Sequence, residues 1–245
     1  MVSDERWRTA QQYERGFWQQ QAEQIGRGET AQPDWYKWRA DQLVARLRSL
    51  GKESVTLPDT RALEVGSGPV GLLAFYPASD VTLVDPLADF FASNPALVAL
   101  RRADARYVTA PGERLPAAAG AVDLAVIENC IDHVKDADGV MAELARVLRP
   151  GGTLYLTVNC RSGLGYYIHR SISSLRLDPG HPHTFTPDRV VAFLKKHGFD
   201  VDDMQVGSFA EERQADLRSE SSRARLKGRL HVSEFLASCI ATRQG

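Results

Sequence analysis

Residues Leu63 to Gly71 read LEVGSGPVG, and this stretch limits the fold of the chain more than any other. An apolar run that ends in closely spaced glycines is a β-strand turning sharply, with its backbone left open to a ligand. Gly66, Gly68 and Gly71 form a literal G-x-G-x-x-G, and the following run VTLVD ends in Asp85. An acid roughly 20 residues past such glycines is the pattern of a dinucleotide site. Glu64 argues against that ligand. A carboxylate at the end of the first strand would face two phosphates, and like charges at low local dielectric repel by several kcal/mol in order of magnitude. Pro69 also removes one N–H from any phosphate cradle. A ligand with positive charge and no phosphate reverses the sign of the Glu64 interaction.

The rest of the chain supplies the frame around this turn. RALEVG, VTLVD, ARYVTA, VDLAVIEN and GTLYLTVN are short β-rich runs, most of them separated by helical patterns. Strand, helix and strand in series predict a parallel sheet with crossover helices. DADGVMAELARVLRPGG reads as a helix capped by Asp136 or Asp138, with Val140, Met141, Leu144, Val147 and Leu148 on one face. TPDRVVAFLKKHG reads as a second, with Thr186 as cap, Pro187 in the first turn and Gly198 at the exit. FDVDDMQVGSF is a further strand and residues 211–228 are a charged helical excursion. RLHVSEFLASCIATR is a last strand, expected at the sheet edge, where an antiparallel final hairpin fits. Upstream, Trp7, Ala10, Tyr13, Phe17 and Ala22 follow a helical stripe, and all four Trp lie in the first 38 positions. The expected fold is α/β, a Rossmann-like, doubly wound, mostly parallel seven-stranded sheet with helices on both faces. Residues 1–55 form an N-terminal helical lid whose aromatics anchor its packing, and residues 56–245 form one globular unit.

Composition narrows the partners. A formal net charge of -1 and a pI near 6.6 do not favour nucleic acid. Cys130, Cys160 and Cys239 are far apart and form no C-x-x-C, which argues against a disulfide framework or structural zinc. The first residues hold no apolar signal core and no run approaches the length of a membrane span. A cytoplasmic protein without a membrane partner is expected, and a homodimer is compatible with the sequence.

S-adenosylmethionine has the charge that Glu64 asks for: a sulfonium, an ammonium and no phosphate. ALEVGSGPVG resembles the first motif of the class I S-adenosylmethionine-dependent methyltransferases, in their small-molecule, type 11-like branch. VTLVDP resembles the second motif, GERLP the third and VDLAVIENCIDHV the fourth. LARVLRPGGTLYL resembles the helix, turn and strand that follow, and HPHTFT before a helix ending in HGF is a further recurring element. The resemblance covers roughly residues 55–205, in order. It implies S-adenosyl-L-methionine as cofactor, with Glu64, Gly66, Ser67 and Gly68 around the methionyl part, Asp85 on the ribose, and Pro86 and Leu87 beside the adenine. Pro111 stands where many relatives have an acid, so Gly112 and Glu113 are expected to contact the adenine, by backbone. Asn129 is expected on the methionyl part or the substrate.

Glu128, Asn129, Asp132 and His133 follow the fourth strand, at the carboxyl edge where reacting groups belong. His133 is the candidate general base, because an imidazole can take a hydroxyl proton near neutral pH. Trp18 and Trp35 on the lid, and Tyr166, Tyr167 and His169 past the fifth strand, are candidate substrate contacts. So are His181 and His183, two residues apart and on one face if extended. With His169 or Asp132 these histidines do not complete the ligand spacing of a known site, and no metal is expected. The reading is methyl transfer to an O or N atom of a small molecule, such as a metabolite, glycan or lipid precursor. A nicotinamide-dependent oxidoreductase and a non-catalytic methyltransferase-like binding protein are the competing classes.

Overall fold

The computed structural model describes residues 2–27, 32–174 and 182–245. Its seven strands are β1 (Arg61–Val65), β2 (Asp80–Asp85), β3 (Arg106–Thr109), β4 (Val122–Glu128), β5 (Leu148–Cys160), β6 (Phe199–Val206) and β7 (Phe235–Arg243). They lie in the order β3-β2-β1-β4-β5-β7-β6. The first five in that order run parallel, and β7 is antiparallel to both its neighbours. The chain order reverses between β1 and β4. Their carboxyl ends therefore diverge into a crevice, which is where an open α/β sheet binds ligands.

Side chains alternate across the sheet, so each strand feeds two cores. Leu63, Val65, Ala125 and Ile127 point to the face covered by α5 (Ala137–Val147) and α7 (Pro187–Lys196), through Val140, Met141, Leu144, Val190 and Leu194. Ala62, Leu124, Val126 and Tyr155 point to the other face. There Ala40, Leu43 and Leu47 of α2 (Gln32–Ser49) are buried beside Leu72 and Leu73. The glycine loop enters only a short 3-10 turn, Leu72–Phe75, instead of a full helix. Helix α2, which precedes β1 in the chain, fills the space over that turn and is a layer of the sheet. Arg46 fixes it further: its Nε donates to Asp203 Oδ2 at 2.6 Å and its Nη1 to Ser238 Oγ at 2.7 Å.

Helix α1 (Asp4–Gly26) starts at Ser3, whose hydroxyl accepts the Arg6 N–H, and packs elsewhere. Its Ala22 is buried with Phe91 and Leu97 of the short helices α3 (Ala88–Ala92) and α4 (Pro95–Val98), and Trp18 packs on them. Of the expected stripe, Ala10 and Ala22 are buried, whereas Tyr13 and Phe17 are exposed. Three further helices, α6 (Gly163–Ser174), α8 (Phe209–Arg218) and α9 (Ser222–Arg229), complete the chain.

The last strand is not at the edge. β7 is inserted between β5 and β6, because Ala237–Ala241 are buried on both sides and need a neighbour on each. β6 takes the edge, and its Asp200, Asp202 and Asp203 keep that edge hydrated and unattractive to other strands. Thr186 caps α7 as expected, its hydroxyl accepting the Arg189 N–H. Asp136 occupies the cap position of α5 without a side-chain cap bond. Its own N–H donates to Glu113 Oε1 at 2.8 Å.

Replacing Arg46 with Ala removes charge-assisted bonds from a largely buried seam between α2 and the β6–β7 pair. The expected cost is about 2 kcal/mol of unfolding free energy, read from urea denaturation of the two proteins.

Candidate functional site

The glycine loop is built by its neighbours. Gly66 has φ +69, and a Cβ there would sit 2.2 Å from Cys130 Sγ. Gly68 has φ +60, and a Cβ there would press on the Trp18 ring at 3.2 Å. Only glycine meets both demands, a left-handed backbone and a close approach. Glu64 is buried under the loop, at the end of β1. Its Oε1 accepts the Leu72 N–H at 3.0 Å and its Oε2 the Leu73 N–H at 2.8 Å. Burial pushes its pKa up to about 8, against the pull of those N–H groups, and the charge of Glu128 pushes the same way. Both oxygens that were expected to face the ligand are therefore engaged with the backbone of the loop's own exit.

Asp85 ends β2 beside the same loop. Its Oδ2 accepts the Gly68 N–H at 2.9 Å and its Oδ1 the Leu87 N–H at 2.7 Å. Burial raises its pKa to about 6. Past β4, Asn129 has φ 47, a left-handed conformation that asparagine tolerates better than most residues. Its N–H donates to both the backbone oxygen and Oγ1 of Thr157, each at 2.9 Å, which holds the turn after β4.

These residues open on a cavity of about 950 Å³. The wall includes Glu64, Gly66, Ser67, Gly68, Asp85, Pro86, Leu87, Gly112, Glu113, Asn129 and His133, together with Trp18 and Trp35. Trp38, by contrast, is exposed and off the wall. His133 Nε2 lies 3.8 Å from Oδ1 of the buried Asp132. The motif spacing alone did not single out Glu14, Tyr36, Arg39 or Cys130, all of which join the wall. Glu14 accepts the Trp18 indole N–H at 3.0 Å. Arg39 pairs with Glu128, and its guanidinium lies 4.8 Å from the Trp35 ring centre. Tyr36 is buried, and burial with the nearby charge of Glu64 raises its pKa. For Tyr36 and Arg39 the signal was their spacing of three on one helix, with Trp35 four before Arg39, but which strand ends they meet depends on tertiary packing.

Other expected substrate contacts lie away from this wall. His169 is buried, with Nδ1 2.8 Å from Thr184 Oγ1. His183 Nε2 is 2.9 Å from the Val134 carbonyl, its N–H donates to the Asp132 carbonyl, and burial lowers its pKa. Tyr166 stacks under Arg189 at a separate small depression, and Tyr167 is exposed to solvent. The reason is α6, which carries Tyr166, Tyr167 and His169 away from the crevice to pack on the segment before α7. His181 lies outside the described residues. Among the described residues no group of three or more His, Cys, Asp or Glu is placed to hold a metal, and no helix is long and apolar enough to cross a membrane.

Residues 63–156 match the family model described as "Methyltransferase domain". Over these residues, which run from β1 into β5, the chain is similar to a methyltransferase domain. An uncharacterized methyltransferase of Mycobacterium sp. (strain JLS) is 30% identical over 161 residues, which cover 61% of this chain and 62% of that protein. The similarity thus spans less than two thirds of the relative's length. The human thiol S-methyltransferase TMT1A is 37% identical over 97 residues, covering 38% of this chain and 40% of that one. Among solved structures, geranyl diphosphate C-methyltransferase from Streptomyces coelicolor A3(2) superposes with a TM-score of 0.57 at 14% identity, covering 83% of each chain. One of these proteins is a thiol S-methyltransferase and another a C-methyltransferase, so likeness to a methyltransferase domain does not by itself fix the acceptor.

Gly66→Ala forces a left-handed alanine against Cys130. A loss of about 1–2 kcal/mol from the backbone alone is expected in chemical denaturation. Adding Cys130→Ala removes the sulfur but keeps a Cβ 2.7 Å away, so it is expected to recover only part of the steric loss and to leave the backbone part.

Proposed function

We propose that the protein transfers the methyl group of S-adenosylmethionine to an O or N atom of a small molecule. The observation that carries this reading is the cavity itself, which gathers the glycine loop, Glu64, Asp85, Asn129 and His133 on one wall. The residues fit the cofactor's charge. A carboxylate sits under the loop, Pro69 withholds an N–H, and Arg39, the one lysine or arginine on the described wall, is paired with Glu128. A phosphate would find little to bind there, and a cation would find Glu64.

When bound, the cofactor supplies an electrophilic methyl group on a sulfonium. The chain's own contribution is alignment: Gly66, Ser67 and Gly68 hold the methionyl part, Asp85 the ribose, and Pro86, Leu87, Gly112 and Glu113 the adenine end. Holding the acceptor in line within a dry cavity removes most of the entropic barrier. A hydroxyl acceptor must also lose its proton. His133 takes it as general base, and the carboxylate of Asp132 lies on the side where the resulting imidazolium would be stabilised. An amine acceptor needs positioning alone. Trp18 and Trp35 close over the acceptor from the lid.

Calorimetric titration of the purified protein tests this. Micromolar binding of S-adenosylhomocysteine and none of NADH is expected, and the reverse result would establish the oxidoreductase reading. The pH dependence carries a sign. Glu64 is raised from 4.5 to about 8 in the free protein, so its protonated form favours the folded state at low pH, and that contribution fades as pH rises through about 8. A sulfonium needs the ionised form. The ratio of S-adenosylmethionine to S-adenosylhomocysteine affinity should therefore rise between about pH 6 and about pH 9, by about tenfold for each pKa unit that the sulfonium shifts Glu64. A flat ratio would mean that Glu64 serves the loop alone.

For a hydroxyl acceptor, His133→Ala should lower kcat by about a hundredfold or more while homocysteine-product affinity is kept. Unchanged turnover in a folded variant removes His133 from the mechanism.

A further inference from the structure

One part of the wall is not accounted for by the cofactor motifs. Tyr13, Phe17 and Trp35 are 53%, 45% and 48% exposed, yet all three line the cavity. They come from α1 and α2, whereas the cofactor motifs come from the strand ends. Burying such a ring is favourable by about 1.5–3 kcal/mol. Folding left these three half bare, turned on one cavity whose volume is at the upper end of the range that holds a drug-sized ligand. They are open to a second molecule in that cavity.

The charges on the same wall say what that molecule is not. Arg39 is the one lysine or arginine among the described wall residues, and it is committed twice. Glu128 neutralises it, and the Trp35 ring lies under its guanidinium at 4.8 Å. Both side chains of the pair are mostly buried, at 14% and 8% exposure, so solvent screens their interaction little. An anionic acceptor would find no open cation there and would meet carboxylates of Glu14 and Glu128.

We propose that the methyl acceptor is an apolar, ring-bearing molecule without negative charge, stacked on Tyr13, Phe17 and Trp35, and that the Glu128–Arg39 pair excludes anionic acceptors. The inference rests on the methyltransferase reading of the cavity, and it adds the acceptor's chemical class and Glu128 as the residue that sets it.

The test uses two probes with the same ring system, 2-naphthol and 2-naphthoate, titrated at about pH 7 into protein saturated with S-adenosylhomocysteine. Saturation is measured first, so a failure of cofactor binding overturns the methyltransferase reading separately; the naphthyl pair is then run on the free protein. The expected result is 2-naphthol at least about tenfold tighter than 2-naphthoate. Trp35→Ala should weaken 2-naphthol by about tenfold. Glu128→Gln releases Arg39 and should tighten 2-naphthoate relative to 2-naphthol by about fivefold or more. Equal or tighter binding of 2-naphthoate by the parent protein, or no binding of 2-naphthol, overturns the proposal. A folded Glu128→Gln protein with an unchanged probe ratio overturns the gatekeeping role of Glu128. Should that variant fail to fold, the parent ratio and Trp35→Ala still decide the acceptor class.

Discussion

The contact between the Glu64 carboxyl group and the Leu72 and Leu73 N–H groups is the constraint on which the site depends. A glycine loop that opened a long helix would have consecutive amides of that helix to shape it. Here the turn after the loop is a short 3-10 segment, too brief to organise itself. The carboxyl group does that work from below, reaching across the loop to its exit. Asp85 mirrors it from the next strand, holding the Gly68 and Leu87 N–H groups. The loop is thus pinned by two acids, each at the carboxyl end of a neighbouring parallel strand, and its left-handed glycines follow from the path those pins impose.

The short turn has a consequence for the whole N-terminal segment. The face of the sheet above β1 lacks the crossover helix that would cover it, and α2 supplies the missing layer through Ala40, Leu43 and Leu47. Because α2 is a core layer, its next exposed turn arrives at the crevice at a fixed height. That fixes Tyr36 over the Glu64 region and Arg39 on Glu128, at the end of β4. Helix α1 has a different footing, on α3 and α4, and reaches the loop through Trp18 against Gly68. The two N-terminal helices are therefore anchored to different parts of the fold. The cavity lies where both meet the strand ends.

Much of this was legible in the sequence because local signals and the sheet's periodicity agreed. The β1–loop–β2 unit, the α5 face, the Thr186 cap and the gathering of Glu64, Gly66, Asp85, Asn129 and His133 at one edge all follow from period, spacing and strand order. What was not legible depended on which strand lies next to which. FLASCIATR has the apolar density of an interior strand, and the three aspartates of FDVDDMQV mark an edge, yet proximity to the end of the sequence suggested the opposite order. Tyr166, Tyr167 and His169 follow β5 in sequence and so read as rim residues, but α6 turns them aside and His169 spends its ring nitrogen on Thr184. Arg39 was invisible because an arginine on a helix reads as a solvated face until a buried glutamate is found opposite it.

The raised pKa of Glu64 links the loop's architecture to the proposed chemistry. Burial, with a second acid nearby, pushes this carboxyl group towards its protonated form, against the pull of its two N–H donors. A cation brought to the cavity would make ionisation favourable, so in the proposed reading Glu64 would discriminate between a charged and a neutral sulfur without moving. Methyl transfer removes that positive charge. Glu64 would then take up a proton from solvent, and its attraction for the ligand would fall. The same carboxyl group that pins the loop would thereby weaken the grip on the spent cofactor while the hydrogen bonds of Asp85 to the loop stay as they were. Architecture and turnover draw on one buried acid. That is why its two backbone partners fit the cofactor reading: they keep a titratable group dry and fixed, and a dry, fixed acid is the one most responsive to a change in nearby charge.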